Sequence, residues 1–148
     1  MRRSLKLCVV IGLFLLVSCA KGRPIMTVYF MPFSVSTYVP VTPKDIACQA
    51  EEKWTITDIA QASTLITILN YGDKANFDNN RVRMLVSSNG KSYYIDQDGV
   101  ALYGKITHKI DLGRIDAFRK SMSPNTILQL RGTKRLPGCS SSGDTTLN

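Results

Sequence analysis

The chain has 148 residues, a net charge of +8, 44% hydrophobic residues and four cysteines. This length accommodates one domain, with or without a targeting segment, and excludes a two-domain enzyme. The apolar content excludes a chain that is mostly disordered. What the charge and the cysteines mean depends on whether every residue belongs to the mature protein.

The N-terminus has the pattern of a secretory signal peptide. Three cations, Arg2, Arg3 and Lys6, precede residues 7–17, which carry no charge and are largely apolar. This stretch has the length of a signal-peptide core, and it is shorter than the roughly 20 apolar residues that are needed to span a bilayer. We therefore predict a cleaved signal peptide over residues 1–18.

The end of that segment, Leu16-Val17-Ser18-Cys19, resembles the lipobox of bacterial lipoproteins. The resemblance implies that the Cys19 thiol carries a diacylglyceryl group, that cleavage occurs before Cys19, and that the new amine is acylated. In Gram-negative members an aspartate after the cysteine tends to retain the protein in the inner membrane, and here Ala20 takes that place. The implied location is the inner leaflet of the outer membrane, facing the periplasm. Three acyl chains make release from the membrane negligible.

Cleavage changes both the charge and the cysteine count. Loss of residues 1–18 removes three cations and no acid, so the net charge falls from +8 to +5. Cys8 is lost and Cys19 is lipidated, which leaves Cys48 and Cys139 as the one pair of thiols in an oxidising compartment. We predict a disulfide between them, which by loop entropy contributes about 4 kcal/mol. Two cysteines and a single histidine fall short of a structural zinc site, so we predict no metal and no cofactor.

A short tether over residues 19–24 is predicted to lead into a single domain over residues 25–139. Residues 24–43 carry no charge. Within them, alternating apolar residues over 33–41 predict a strand, which prolines interrupt. The alternative is an exposed apolar surface that faces the membrane or a partner.

The rest of the domain predicts an α+β fold, because its strands and helices do not alternate as βαβ units. Two turn sequences, Asn89-Gly90 and Asp98-Gly99, separate alternating apolar segments and predict hairpins. In chain order, the predicted elements are a helix over about 57–70 that begins at Thr57 or Asp58, an antiparallel β-meander over about 80–110, a helix over about 111–122, a short strand within 126–131 and a polar tail over 140–148.

We find no convincing set of catalytic residues. The only histidine, His108, shares a predicted strand face with apolar neighbours and is interpreted as a core or edge residue with a hydrogen-bond partner. Glu51 and Glu52 are adjacent, so on a strand they point to opposite faces and make a poor acid–base pair. The segment at Asp96 begins like a calcium loop, but Lys105 stands where the last carboxylate ligand is required. We expect neither an enzyme nor a small-molecule substrate.

The basic residues of the C-terminal half are the other candidate site. Arg81 and Arg83 are predicted to share one strand face, opposite the apolar face of the meander, and with Tyr94 they are the candidates for partner binding. The expected partner is an acidic protein surface or anionic lipid headgroups. The alternative is an ordinary solvated surface. Nucleic acid is not expected, because the chain is predicted to face the periplasm.

Two functions fit this pattern. The first is a non-enzymatic envelope lipoprotein that acts as a structural or accessory part, or as a protein-binding module. The second follows from the size, the anchor, the single disulfide and the lack of catalytic groups. In this general plan the chain resembles the immunity lipoproteins that neutralise toxins acting in the periplasm, such as type VI secretion phospholipase effectors.

Overall fold

We describe a computed structural model of the protein, which covers residues 23–130 and residue 139. This part of the chain contains one antiparallel sheet of seven strands and three α-helices, so the predicted α+β class is confirmed. The predicted signal peptide, the predicted lipidation site Cys19 and the predicted polar tail over 140–148 lie outside the described residues. The elements in chain order are β1 (Met26–Phe30), α1 (Ile46–Gln49), β2 (Glu52–Ile56), α2 (Ile59–Leu69), β3 (Val82–Ser88), β4 (Lys91–Asp96), β5 (Val100–Tyr103), β6 (Ile106–Lys109), α3 (Leu112–Ser121) and, after a 3₁₀ turn over Pro124–Thr126, β7 (Ile127–Gln129).

The strand order across the sheet is β6-β5-β4-β3-β1-β2-β7, which confirms the predicted meander as strands β3 to β6. Asn89 and Gly90 form its first turn and both have positive φ, at 47° and 75°, as a two-residue hairpin turn requires. Gly99 provides the next turn with a φ of 76°. The centre of the sheet is β1, which pairs with β2 on one side and with β3 on the other.

The charge-free segment forms a strand earlier than we predicted. Strand β1 covers residues 26–30, and residues 31–41, which we call the proline loop, contain no strand apart from an isolated bridge between Val41 and Arg81. The predicted strand over 33–41 is therefore wrong. Pro32 and Pro40 lack the N–H group that a strand donates to its neighbour, so this part of the chain leaves the sheet.

Apolar side chains form a cluster on each face of the sheet. The larger cluster lies between the sheet and the helices α2 and α3 and includes Trp54 and Met84, both fully buried. The smaller cluster contains Val41, Ile46 and Val82. The pairing of β3 with β4 shifts register between Val82 and Met84, as at a β-bulge, so these two residues belong to different clusters.

The two longer helices begin where the sequence places their caps. The Asp58 carboxylate accepts a hydrogen bond from the Gln61 amide at 2.7 Å, and the Asp111 carboxylate accepts one from the Gly113 amide at 2.8 Å. The predicted bounds of both helices differ from the observed ones by no more than two residues. The sulfurs of Cys48 and Cys139 form the predicted disulfide, with 5.6 Å between the Cα atoms.

Candidate partner-binding surface

The three candidate residues do not share one surface. The Arg81 side chain is 44% exposed and donates hydrogen bonds to Gln97 Oε1 at 3.3 Å and to Asp98 Oδ2 at 3.1 Å. Tyr94 is half-buried and packs against the smaller apolar cluster, opposite Leu85 on the neighbouring strand. Arg83 is only 1% exposed.

The prediction that Arg83 lies on the exposed strand face is therefore wrong. The irregularity between Val82 and Met84 breaks the two-residue alternation of β3 on which that prediction depended. The Arg83 side chain lies beneath the proline loop, so it does not form part of an exposed strand face. Only Arg81 of the three candidates presents a charged group to solvent.

Buried Arg83 connects the meander to the proline loop. Its Nη2 donates to Gln97 Oε1 at 2.8 Å, to the Val35 carbonyl oxygen at 3.2 Å and to Thr37 Oγ1 at 3.3 Å. Its Nη1 donates to the carbonyl oxygen of Val82 at 3.0 Å. One side chain thus holds two positions of an otherwise irregular loop against the end of β4.

The tip of the proline loop carries large exposed apolar groups. Tyr38 is fully exposed and Val39 is 64% exposed, and Pro40 follows them on the surface. Aromatic side chains held on a fixed support are common anchors in protein interfaces, because they bury a large area with little loss of side-chain freedom. The sequence signal for this tip was the run of uncharged residues between two prolines, which we interpreted mainly as a strand.

A cleft of about 270 Å³ lies between this loop and the ends of β3 and β4. We call it the arginine cleft, because it is lined by both Arg81 and Arg83. Asp78 is the acidic residue that lines it. Its remaining lining residues are Ser36, Thr37, Tyr38, Pro40, Asn80 and Gln97.

The sheet topology puts the arginine cleft at the end of β1 opposite Met26, and Met26 marks the end where the predicted tether would join the sheet. The chain enters the sheet at Met26, and the proline loop begins where β1 ends, after Phe30. The end of β1 is paired with the start of β3, since Phe30 lies opposite Met84. Five strand residues span about 16 Å. We call this end of the sheet, which also carries Arg81, the distal end.

The other chemistry-bearing residues are engaged within the fold. His108 is buried, and its Nε2 is hydrogen-bonded to the carbonyl oxygen of Leu69. Asp96 is 1% exposed, and its carboxylate accepts hydrogen bonds from the amides of Asp78, Asp98 and Val100 at 2.8 to 3.0 Å. Neither group is available to act on a substrate in this arrangement. No cluster of three metal-ligating side chains occurs in the described part of the chain.

A buried ion pair that we did not predict links β2 to α3. Glu52 is 4% exposed, and its carboxylate accepts hydrogen bonds from Trp54 Nε1 at 2.9 Å, from Gln129 Nε2 at 3.1 Å and from the Arg119 guanidinium. Burial raises the pKa of this carboxyl, but the hydrogen bonds and the charge of Arg119 outweigh burial and lower the pKa to about 2. The adjacent pair of glutamates in the sequence gave no sign of this partner, which is 67 residues away.

No protein-family model, curated protein or solved structure matches this chain. Among the described residues, no helix is both long enough and apolar enough to cross a membrane. The features of the protein that bear on its function are therefore the N-terminal motif and the geometry of the distal end.

Replacing Arg83 with methionine should release the proline loop, because the loop loses the hydrogen bonds to Val35 and Thr37. A hydrogen bond to a charged group contributes enough free energy that its loss should make the Val35 amide exchange roughly tenfold faster, or more. Hydrogen–deuterium exchange by NMR measures this. Arg81→Met is the matched control, since the side-chain hydrogen bonds of Arg81 do not reach the loop. Equal exchange in both variants would contradict the role assigned to Arg83.

Proposed function

We propose that this protein is a lipid-anchored, non-enzymatic lipoprotein of the bacterial cell envelope that binds a protein partner through the distal end of its sheet. The observation that carries the proposal is the Leu16-Val17-Ser18-Cys19 motif directly after a signal-peptide pattern. Acylation at Cys19 would leave six residues before Ile25, each of which reaches about 3.3 Å when extended. Such a tether would hold the domain close to the inner leaflet of the outer membrane.

The geometry of the distal end supports a binding role. The exposed tip at Tyr38 and Val39 is held in place from beneath by Arg83, and the arginine cleft opens beside it. Both features lie at the opposite end of the central strand from the tether. A membrane-anchored protein with this arrangement would present an apolar anchor and a polar recess to the periplasm, where an envelope protein can contact them.

The anchor is tested by replacing Cys19 with serine. We expect palmitate labelling to be lost and the unprocessed precursor to accumulate, because the serine hydroxyl cannot replace the thiol as the acceptor of the diacylglyceryl group. Labelling of the wild-type chain and fractionation of both proteins measure this. Cys8→Ser is the control, because this residue lies within the predicted signal peptide and should leave labelling unchanged. Palmitate labelling together with normal processing of the Cys19→Ser variant would defeat the proposal.

The protruding proline loop favours one alternative, an immunity lipoprotein that neutralises a toxin acting in the periplasm. Inhibitors commonly block an active site with a loop that is held in one conformation, since a preorganised loop loses less entropy on binding. The mixed charge around the arginine cleft does not resemble a nucleic-acid backbone, so a phospholipase-type toxin fits this alternative better than a nuclease. An adjacent gene for a larger toxin-like protein would favour immunity, and a secretion or pilus operon would favour an accessory role.

A further inference from the structure

The arginine cleft holds a buried positive charge that the fold does not neutralise. All the acceptors that Arg83 contacts are neutral, namely two carbonyl oxygens, one hydroxyl and one amide oxygen. Its Nε atom is buried without a hydrogen-bond acceptor, and no described carboxylate forms an ion pair with it. A buried cation without a counter-charge is costly, so an anion bound nearby would be stabilised by it.

Arg81 adds a second and accessible guanidinium to the same cleft. Its ion pair with Asp98 is open to solvent, since the two side chains are 44% and 59% exposed. Exposed ion pairs of this kind contribute about 1 kcal/mol or less, so a competing carboxylate can displace Asp98. Burial and the nearby charge of Arg81 both lower the pKa of Arg83, which is consistent with two like charges that share one recess.

The carboxylates near the cleft already accept hydrogen bonds from backbone amides. The Asp78 carboxylate accepts a hydrogen bond from the Asn80 amide at 2.9 Å. The carboxylate of Asp96 is satisfied by three backbone amides, and it forms no ion pair with either arginine. Among the described residues, the carboxylate that pairs with one of the two guanidiniums is therefore the exposed one of Asp98.

We propose that the arginine cleft binds a carboxylate of an acidic segment of the partner protein. Arg81 donates hydrogen bonds to this carboxylate in place of Asp98, Arg83 stabilises its charge from beneath, and Tyr38 contacts the apolar part of the segment. The planar fork of an arginine suits a carboxylate because it can donate two parallel hydrogen bonds. This assignment rests on the proposed function, and it adds the chemistry of the partner to it.

A protein segment fits the site better than lipid headgroups do. The chain joins the sheet at one end of β1 and the cleft lies at the other end, about 16 Å away, so a tether would have to extend before the cleft could reach headgroups. The exposed apolar tip beside the cleft also suits a peptide, which offers apolar side chains next to its acidic ones.

The experiment is a titration of the isotope-labelled lipoprotein, held in uncharged detergent micelles, with poly-L-glutamate at constant ionic strength. We expect saturable NMR shift changes confined to the amides of the cleft, above all those of Thr37, Arg81 and Gln97. Replacing Arg81 with glutamine should weaken the apparent affinity roughly tenfold, the usual effect of losing a hydrogen bond to a charged group. Lys91→Gln is the matched control, because it removes one exposed charge at the tether end of the sheet.

Three results would overturn the assignment. An equal loss of affinity in the two variants would mean that poly-L-glutamate responds only to net charge. The absence of any saturable shift in the cleft would mean that it takes no carboxylate. In a parallel titration with inorganic phosphate, a response without one to poly-L-glutamate would mean that the cleft takes a different anion. None of these readouts depends on acylation of Cys19. The carboxylate site can therefore be disproved while the lipid anchor stands, and the lipid anchor can be disproved while the carboxylate site stands.

Discussion

Replacing both Cys48 and Cys139 with serine should lower the free energy of unfolding by about 4 to 5 kcal/mol. The disulfide joins residues that are 91 positions apart, and it therefore restricts most of the unfolded domain. The loop-entropy relation gives an effect of this size for a loop of that length. The disulfide also joins the chain after β7 to α1. This helix lies in the connection between β1 and β2, which are neighbours in the sheet.

Urea denaturation of the wild-type protein and the double variant, under oxidising conditions, measures this difference. The double substitution is preferable to a single one because it leaves no unpaired thiol. Wild-type protein that has been fully reduced is the control, and it should unfold at nearly the same urea concentration as the variant. A loss below about 1 kcal/mol would contradict the argument, because it would mean that the unfolded chain is already restricted by other means.

Replacing Arg119 with methionine should lower the free energy of unfolding by about 3 kcal/mol at pH 7. The substitution leaves Glu52 buried with only Trp54 and Gln129 as hydrogen-bond donors. An uncompensated buried carboxylate is expensive, and we expect the lower part of the usual range because the Arg119 side chain is 32% exposed. The Arg119 guanidinium carbon also lies 5.8 Å from the centre of the Phe30 ring, and methionine retains part of that contact.

The cost of this substitution should depend on pH. The pKa of Glu52 is lowered from 4.5 to about 2 in the folded protein, so its contribution to stability is complete above about pH 4.5 and is lost as the pH falls towards 2. Without Arg119, two of the causes that lower this pKa are lost, so the pKa rises and the variant keeps less of this contribution at neutral pH. The difference between the two proteins should therefore be largest at neutral pH and small near pH 2.

Urea denaturation at pH 7, 4 and 2.5 measures this dependence. Arg114→Met is the matched control, because Arg114 is exposed on the same helix and forms no ion pair with the described residues. Its effect should stay within about 0.5 kcal/mol at each pH. A cost for Arg119→Met that does not change with pH would mean that packing, and not the charge of Glu52, makes this contact important.

The elements that depend on local signals were predictable. The caps at Asp58 and Asp111 and the turn at Asn89-Gly90 each satisfy backbone groups within a few residues, so their effect is present in the sequence itself. The motif predicted at Cys19 is also local, since it consists of four consecutive residues, and it stays a prediction. The pairing of Cys48 with Cys139 required only counting, once the other two cysteines had been assigned.

Contacts between distant segments decided the remaining features. A register shift in β3 moved Arg83 from the expected surface to the interior, and nothing in the alternation of its neighbours indicated that shift. The ion pair of Glu52 with Arg119 joins a strand to a helix 67 residues later. The exposure of Tyr38 follows from where β1 ends and the prolines begin. The sequence predicts the anchor, and it determined the helix caps and the turns. Only the tertiary structure decided which charges are buried and which residues form the distal surface, because burial and pairing depend on segments that are far apart in the chain.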